Sequence, residues 1–349
     1  MPTLGGPESD GTAVWDATTM IVCEVHAGRA RGLGYSYADA AAARVIEDLL
    51  ADAITGVDAI AIPTAMDRML GVIRNHGRPG LAACAVSAVD NALWDLKARL
   101  YDVSVAELLG PARTEVPVYA SGGFTSRTLD ELEREVASYA QAGHTRVKIK
   151  IGRDPSSDLD RVKVARAALG PDRALMVDAN GAYDRKQALL MAEQFAAHGV
   201  VWFEEPVSSD DLEGLKLLRD RAPAGMQIAA GEYGYDSFYF RRMLDASAVD
   251  VLQADATRCL GTSGFLRADA LCDARGLPLS SHCAPALHAH AGAAAVRLVH
   301  LEHFFDHVRM EGLLFDGVPM VSGGVIAFDP RRPGFGLALR REEARRHAV

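Results

Sequence analysis

Between residue 116 and about residue 316, short apolar, β-branched runs end in polar residues. Each is followed by a stretch whose apolar positions fall three and four apart. The runs predict strands at Val116 to Ala120, Arg146 to Ile151, Ala174 to Val177, Val200 to Phe203, Gln227 to Ala230, Val249 to Gln253, Leu277 to Ser280 and Val299 to Phe304. Intervening stretches such as Leu129 to Ala142, Leu159 to Leu169, Arg185 to His198 and Leu212 to Arg221 read as helices with one buried face. Strands alternating with helices at a period of roughly 25 to 30 residues pair in parallel, because each crossover must return to the same edge. Eight such units close most naturally into a (β/α) barrel of the TIM type, whose usual size is about 250 residues. The competing open doubly wound sheet is disfavoured: no GxGxxG follows the early strands, and nearly every strand ends in polar residues, not only those at one switch point.

The first 110 or so residues break this rhythm. Thr18 to Val25 predicts a strand, and Ala38 to Asp52, Ala65 to Asn75 and Leu81 to Leu100 predict helices. The last places Ala82, Val86, Val89, Leu93, Leu96 and Leu100 on one stripe. Residues 1–112 are therefore expected to form an α+β capping domain and 113–316 the catalytic (β/α) barrel. The tail, 317–349, is Gly- and Pro-rich from Gly323 to Gly336 and is expected to return to the capping domain.

The chain has 349 residues, 49% hydrophobic and 24% charged, which suits a large core and excludes disorder for the bulk. Its formal charge of -9 is spread along the chain, with no basic face for phosphates, and no apolar run approaches the roughly 18 to 20 residues of a membrane span. Neither nucleic acid nor membrane is expected as a partner. Met1 to Asp10 carries Pro, Gly, Glu and Asp where a secretory signal is basic and then apolar. Five scattered cysteines without a CxxC pair speak against a disulfide framework and a zinc knuckle. A cytoplasmic protein is expected.

The informative polar residues recur at one place in each repeat. Lys148 and Lys150 lie in the second strand, and Asp178, Glu204, Glu232, Asp255 and His282 fall at or after the ends of the third to seventh, in steps of 28, 26, 28, 23 and 27 residues from Lys150. In a barrel these side chains converge at the C-terminal mouth. Taken singly, each carboxylate is as well explained as a helix cap or turn former, and the lysines and the histidine also have structural readings. Their recurrence in consecutive repeats is not. Three carboxylates on neighbouring strands make an all-oxygen site suited to Mg²⁺. Lys148-Ile149-Lys150 alternates, so both ammonium groups face one side, and their repulsion is expected to lower one pKa and provide a base. Asp255 and His282 are placed to hydrogen-bond, fixing the imidazole tautomer and favouring its charged form.

As a set, Val147-Lys148-Ile149-Lys150, Val177-Asp178-Ala179-Asn180, Trp202-Phe203-Glu204-Glu205-Pro206, Ala230-Gly231-Glu232 and Ser280-Ser281-His282 resemble the enolase superfamily, specifically its mandelate racemase-like group. The resemblance extends weakly to Ala92-Leu93-Trp94-Asp95-Leu96-Lys97 in the first domain. It implies Mg²⁺ held by Asp178, Glu204 and Glu232, Lys150 as base on one face, and His282 oriented by Asp255 on the other. It also implies Lys148 and Glu302 near a substrate carboxylate, with Glu311 the competitor for the role of Glu302. The implied activity is abstraction of the proton α to a carboxylate through an ene-diolate. The reaction would be dehydration of a sugar acid, with racemisation, epimerisation or cycloisomerisation of a hydroxy acid as the alternative. The substrate would be a small carboxylate and the protein a homo-oligomer. Glu205 is expected to turn away from the ligands by strand alternation, and Cys283 to be a packed small residue. Gly5 to Asp16 is expected to be a mobile cover over the substrate and not a packed element.

Overall fold

The computed structural model describes residues 1–349. Eight strands, β1 (Glu115–Gly122), β2 (Arg146–Lys150), β3 (Ala174–Asp178), β4 (Val200–Glu204), β5 (Gln227–Ala230), β6 (Val251–Ala254), β7 (Leu279–Ser281) and β8 (Leu298–Phe304), pair in parallel in that order. The barrel closes where β8 meets β1, Leu301 opposite Val118 and Phe304 opposite Ser121. That pairing rules out the open sheet.

Alternation along the strands explains both cores. Val147, Ile149, Leu175, Val177, Phe203, Ile228, Leu252 and Leu301 face the surrounding helices and belong to one large apolar cluster. Their neighbours point inward, where Tyr119, Met176, Trp202, Ala229 and Val251 form a separate apolar plug. Lys148 shares this inward parity in register with Met176, and Lys150, Asp178 and Glu204 lie one inward position nearer the C-terminal end. The interior is therefore greasy below and charged at the mouth.

The capping domain holds an element that hydrophobic patterning does not signal. Met20–Ala27 pairs antiparallel with a second strand, Ala30–Tyr37, in an eight-residue register. This second strand lies on the helix Leu81–Leu100, and a Cβ at Gly32 or Gly34 would collide with the helix backbone at Ala88 and Ala92. The glycines that permit this approach also remove the alternating side chains by which a strand is read. The helix expected at Ala38 to Asp52 runs from Ala41 to Ile54, with a π-helical turn at Ile46–Leu50.

The tail first returns to the barrel: Val325–Ala327 pairs antiparallel with the start of β1. Only then does it cross to the cap, where the Phe335 amide donates to Asp95 and Arg341 pairs with Glu24. Asp95 binds three parts of the chain, accepting from Leu33 N at 2.8 Å, Phe335 N at 2.6 Å and Arg99 Nε at 2.5 Å. Its side chain is fully buried. Asp95→Ala strands two buried N–H groups, each worth about 1–3 kcal/mol. We expect a stability loss of about 2–5 kcal/mol by denaturant titration, and a loss under 1 kcal/mol would contradict this account.

Candidate functional site

All eight residues singled out from the sequence lie at the C-terminal mouth of the barrel, and all are buried. Lys148 Nζ is 2.5 Å from Glu204 Oε1, 2.8 Å from Glu302 Oε1 and 3.6 Å from Asp178 Oδ2. Lys150 Nζ is 2.5 Å from Asp178 Oδ2. His282 Nδ1 lies 2.8 Å from Asp255 Oδ2, leaving Nε2 toward the cavity, 3.4 Å from Glu232 Oε2. Lys150 thus flanks one end of the carboxylate row and His282 the other. Glu311, the competitor for the place of Glu302, instead sits on the helix Phe305–Leu314 and accepts from Tyr35 Oη at 2.5 Å.

The backbone at the mouth is bent to bring these groups together. Of seven non-glycine residues with positive φ, four, Asn180, Glu205, Cys283 and Ala284, fall within three residues of strand ends in the site. Each costs roughly 1–2 kcal/mol, a strain characteristic of functional positions. Glu205 corrects the sequence expectation. At φ 38° it has left the strand, so alternation no longer turns it away. It is buried against Glu232, Asp178 and Glu204, with Oε1 unpartnered, and burial and those charges push its carboxyl well above the usual range.

The lysines depart from expectation in the opposite sense. Burial opposes the Lys148 charge, but Glu204, Glu302 and Asp178 overcome it and hold its pKa well above normal. Burial and Lys148 likewise oppose the Lys150 charge, and Asp178 prevails. Repulsion between two ammonium groups is real, but carboxylates at 2.5 Å outweigh it. His282 is also raised: burial and Arg258 oppose its charge, and Glu232, Asp255 and Glu302 favour it.

The carboxylates show what the site is suited to hold. Oxygens of Asp178, Glu204 and Glu232 lie within 4.8 Å of one another. Burial, then Asp178, pushes Glu204 up to about 8, and Glu232 Oε2 is buried without a partner. Six carboxyl groups (Asp178, Glu204, Glu205, Glu232, Asp255 and Glu302) face four basic side chains (Lys148, Lys150, Arg258 and His282). A divalent cation would offset this excess of carboxyl groups, and the all-oxygen donor set suits a hard one.

Arg258 was not read from the sequence, although it follows Asp255 by only three residues. It lies 3.5 Å from Glu232 Oε1 and 3.8 Å from Asp255 Oδ2, with its guanidinium 5.5 Å from the Tyr233 ring centre. Trp202 Nε1 donates to Glu204 Oε2 at 2.9 Å, which holds that carboxylate from below.

A cavity of about 420 Å³ opens above these groups, lined by Lys150, Glu232, Arg258 and His282 from the barrel and by Asp10, Trp15, Thr18 and Tyr37 from the cap. The N-terminal segment does cover the site, but as a packed element, contrary to expectation. Glu8–Ser9 pairs with Val14–Trp15, Thr125 N donates to Ser9 O at 2.8 Å, and Trp15 meets Phe124 edge-on at 5.6 Å. Glu8 is fully buried. Two-residue strands give no alternation to read, so only the docking reveals them.

Comparison with known proteins places this geometry among relatives. The family "Enolase C-terminal domain-like" matches residues 131–344, and the mandelate racemase/muconate lactonizing enzyme N-terminal domain matches residues 11–110. The chain is 33% identical over 320 residues to L-talarate/galactarate dehydratase of Salmonella typhimurium, covering 90% of this chain and 78% of that protein. A mandelate racemase/muconate lactonizing enzyme-like protein from Rubrobacter xylanophilus superposes with a TM-score of 0.97 at 52% identity, covering 100% of this chain and 97% of that one. A racemase from Streptomyces coelicolor with bound magnesium superposes with a TM-score of 0.93 at 30% identity, with coverages of 100% and 97%.

Proposed function

The chain belongs to the mandelate racemase/muconate lactonizing enzyme group of the enolase superfamily, and on that premise we propose that it is a Mg²⁺-dependent acid-sugar dehydratase. The observation that carries this reading is the row of three carboxylates with Lys150 at one end and the Asp255-oriented His282 at the other. Relatives named as a dehydratase and as a magnesium-bound racemase support it.

Asp178, Glu204 and Glu232 would hold the magnesium ion. When bound, the ion supplies positive charge beside the substrate carboxylate, which makes the α-proton removable. Lys150 takes that proton. Its ammonium form depends on Asp178, so once Asp178 is engaged elsewhere, burial and Lys148 both favour the neutral amine that a base requires. Lys148 and Glu302, 2.8 Å apart, face the carboxylate as it gains ene-diolate character. His282, an imidazolium held by Asp255, gives its Nε2 proton to the β-hydroxyl. The C–O bond breaks, water leaves, and the enol becomes a 2-keto-3-deoxy acid.

The test is incubation of a sugar-acid library with Mg²⁺ in D₂O. We expect one or a few acids to yield keto acid. Inverted configuration without keto acid would make the protein a racemase. Neither keto acid nor α-deuterium from any member of the library would overturn the reading.

The packed hairpin over the cavity bears on binding more than on chemistry. Trp15→Ala removes cavity lining and an aromatic anchor, so KM on the substrate is expected to rise about tenfold or more with kcat changed less. A fall in kcat alone would give the hairpin a different role.

A further inference from the structure

Cys283 follows His282 in the cavity wall and has no part in the reaction proposed above. Its Sγ lies 3.2 Å from His282 Nε2, and its amide donates to Glu302 Oε2 at 2.8 Å. The ligand atoms of His282, Cys283 and Glu302 lie within 4.8 Å of one another. His282 Nε2 is 3.9 Å from Glu302 Oε2 and 3.4 Å from Glu232 Oε2, a buried oxygen with no hydrogen-bond partner. Tetrahedral zinc, with bonds of about 2.0–2.3 Å, sets its donors about 3.3–3.8 Å apart.

We propose that His282, Cys283 and Glu302 form a second metal site, selective for a thiophilic divalent ion such as Zn²⁺, and that the ion switches the enzyme off by occupying the nitrogen of its general acid.

Two features favour this assignment. The donor set is mixed, one sulfur, one nitrogen and carboxylate oxygens, which suits zinc and disfavours magnesium. The Asp255–His282 hydrogen bond already fixes the imidazole as a ligand needs, with Nδ1 engaged by a carboxylate and Nε2 facing the cavity. Binding forms a Zn–S bond, and the thiol proton leaves to water through the cavity. Any proton on Nε2 leaves with it, so the ion and the catalytic proton are mutually exclusive. Glu232 Oε2 is placed to supply a fourth donor, which brings the zinc site against the magnesium carboxylates.

Binding does not depend on the proposed reaction, whereas inhibition does. The full-length protein in saturating Mg²⁺ would be titrated with Co²⁺ as a spectroscopic substitute and with Zn²⁺ against turnover. We expect thiolate-to-cobalt charge-transfer absorption that is absent in Cys283→Ser. Zinc inhibition, scaled to each protein's own rate in Mg²⁺ without zinc, is expected to weaken roughly tenfold or more in that variant. X-ray absorption of the zinc-loaded wild type should show a sulfur neighbour at about 2.3 Å. Absence of sulfur from the shell, or equal charge transfer in wild type and Cys283→Ser, would overturn the site. A sulfur-ligated ion that left turnover unchanged would retain the site and overturn its inhibitory role, and with it the part given to His282.

Discussion

Lys150→Ala is expected to lose keto-acid formation and solvent exchange of the substrate α-proton together, each by about 10²- to 10⁴-fold. Both need the same proton removed, and within reach of the cavity Lys150 is the basic group at the Asp178 end of the row. His282→Asn should separate them: exchange persists because the ene-diolate still forms, while elimination falls because the β-hydroxyl has lost its acid. The pair of variants also decides the reaction type. In a racemase, each variant exchanges one enantiomer and ignores the other. If Lys150→Ala retained exchange within a few-fold of wild type, the base would lie elsewhere. If His282→Asn left product formation untouched, the Asp255–His282 pair would be structural.

The second large effect concerns the carboxylates. Glu232→Gln should lower turnover by at least about 10³-fold, since charge stabilisation of several kcal/mol is lost and each 1.36 kcal/mol is a factor of ten. Chelation of the wild type should do the same and be reversed by added Mg²⁺. The sign of the stability change discriminates further. In metal-free buffer Glu232 is one of several buried carboxylates with too few cations, so the neutral amide should leave the melting temperature unchanged or higher. Added Mg²⁺ should raise the melting temperature of the wild type through binding to the native state alone, and raise that of the variant much less. Full activity in the presence of a chelator would remove the metal from the mechanism.

The fold and the candidate site were not equally legible. The barrel could be read because each repeat restates one pattern, and because Lys148 and Lys150 stand on opposite parity to Val147 and Ile149. The mouth could be read because polar residues stood at the same place in consecutive units. Glu302 was harder, since Glu311 lies in an equally acidic stretch. The choice between them depends on a helix that begins at Phe305 and carries Glu311 toward Tyr35. Arg258 was missed although it stands one turn beyond Asp255, because a single arginine after a strand resembles any solvated one.

By itself, the sequence determined which faces of the strands point inward and at which end the chemistry gathers. Both follow from the two-residue period of an extended chain and from the order of the repeats, which are local properties. Tertiary structure alone decided the charge states. The lysines are held as ammonium ions by carboxylates 28 to 154 residues away in the chain, and Coulomb energy depends on distance through space. It also decided the docking of the N-terminal hairpin, the turning of Glu205 toward the carboxylates and the glycine-lined strand Ala30–Tyr37. Each of these exists because a partner surface is present. A segment with too few side chains, or too short a strand, carries no period of its own to announce it.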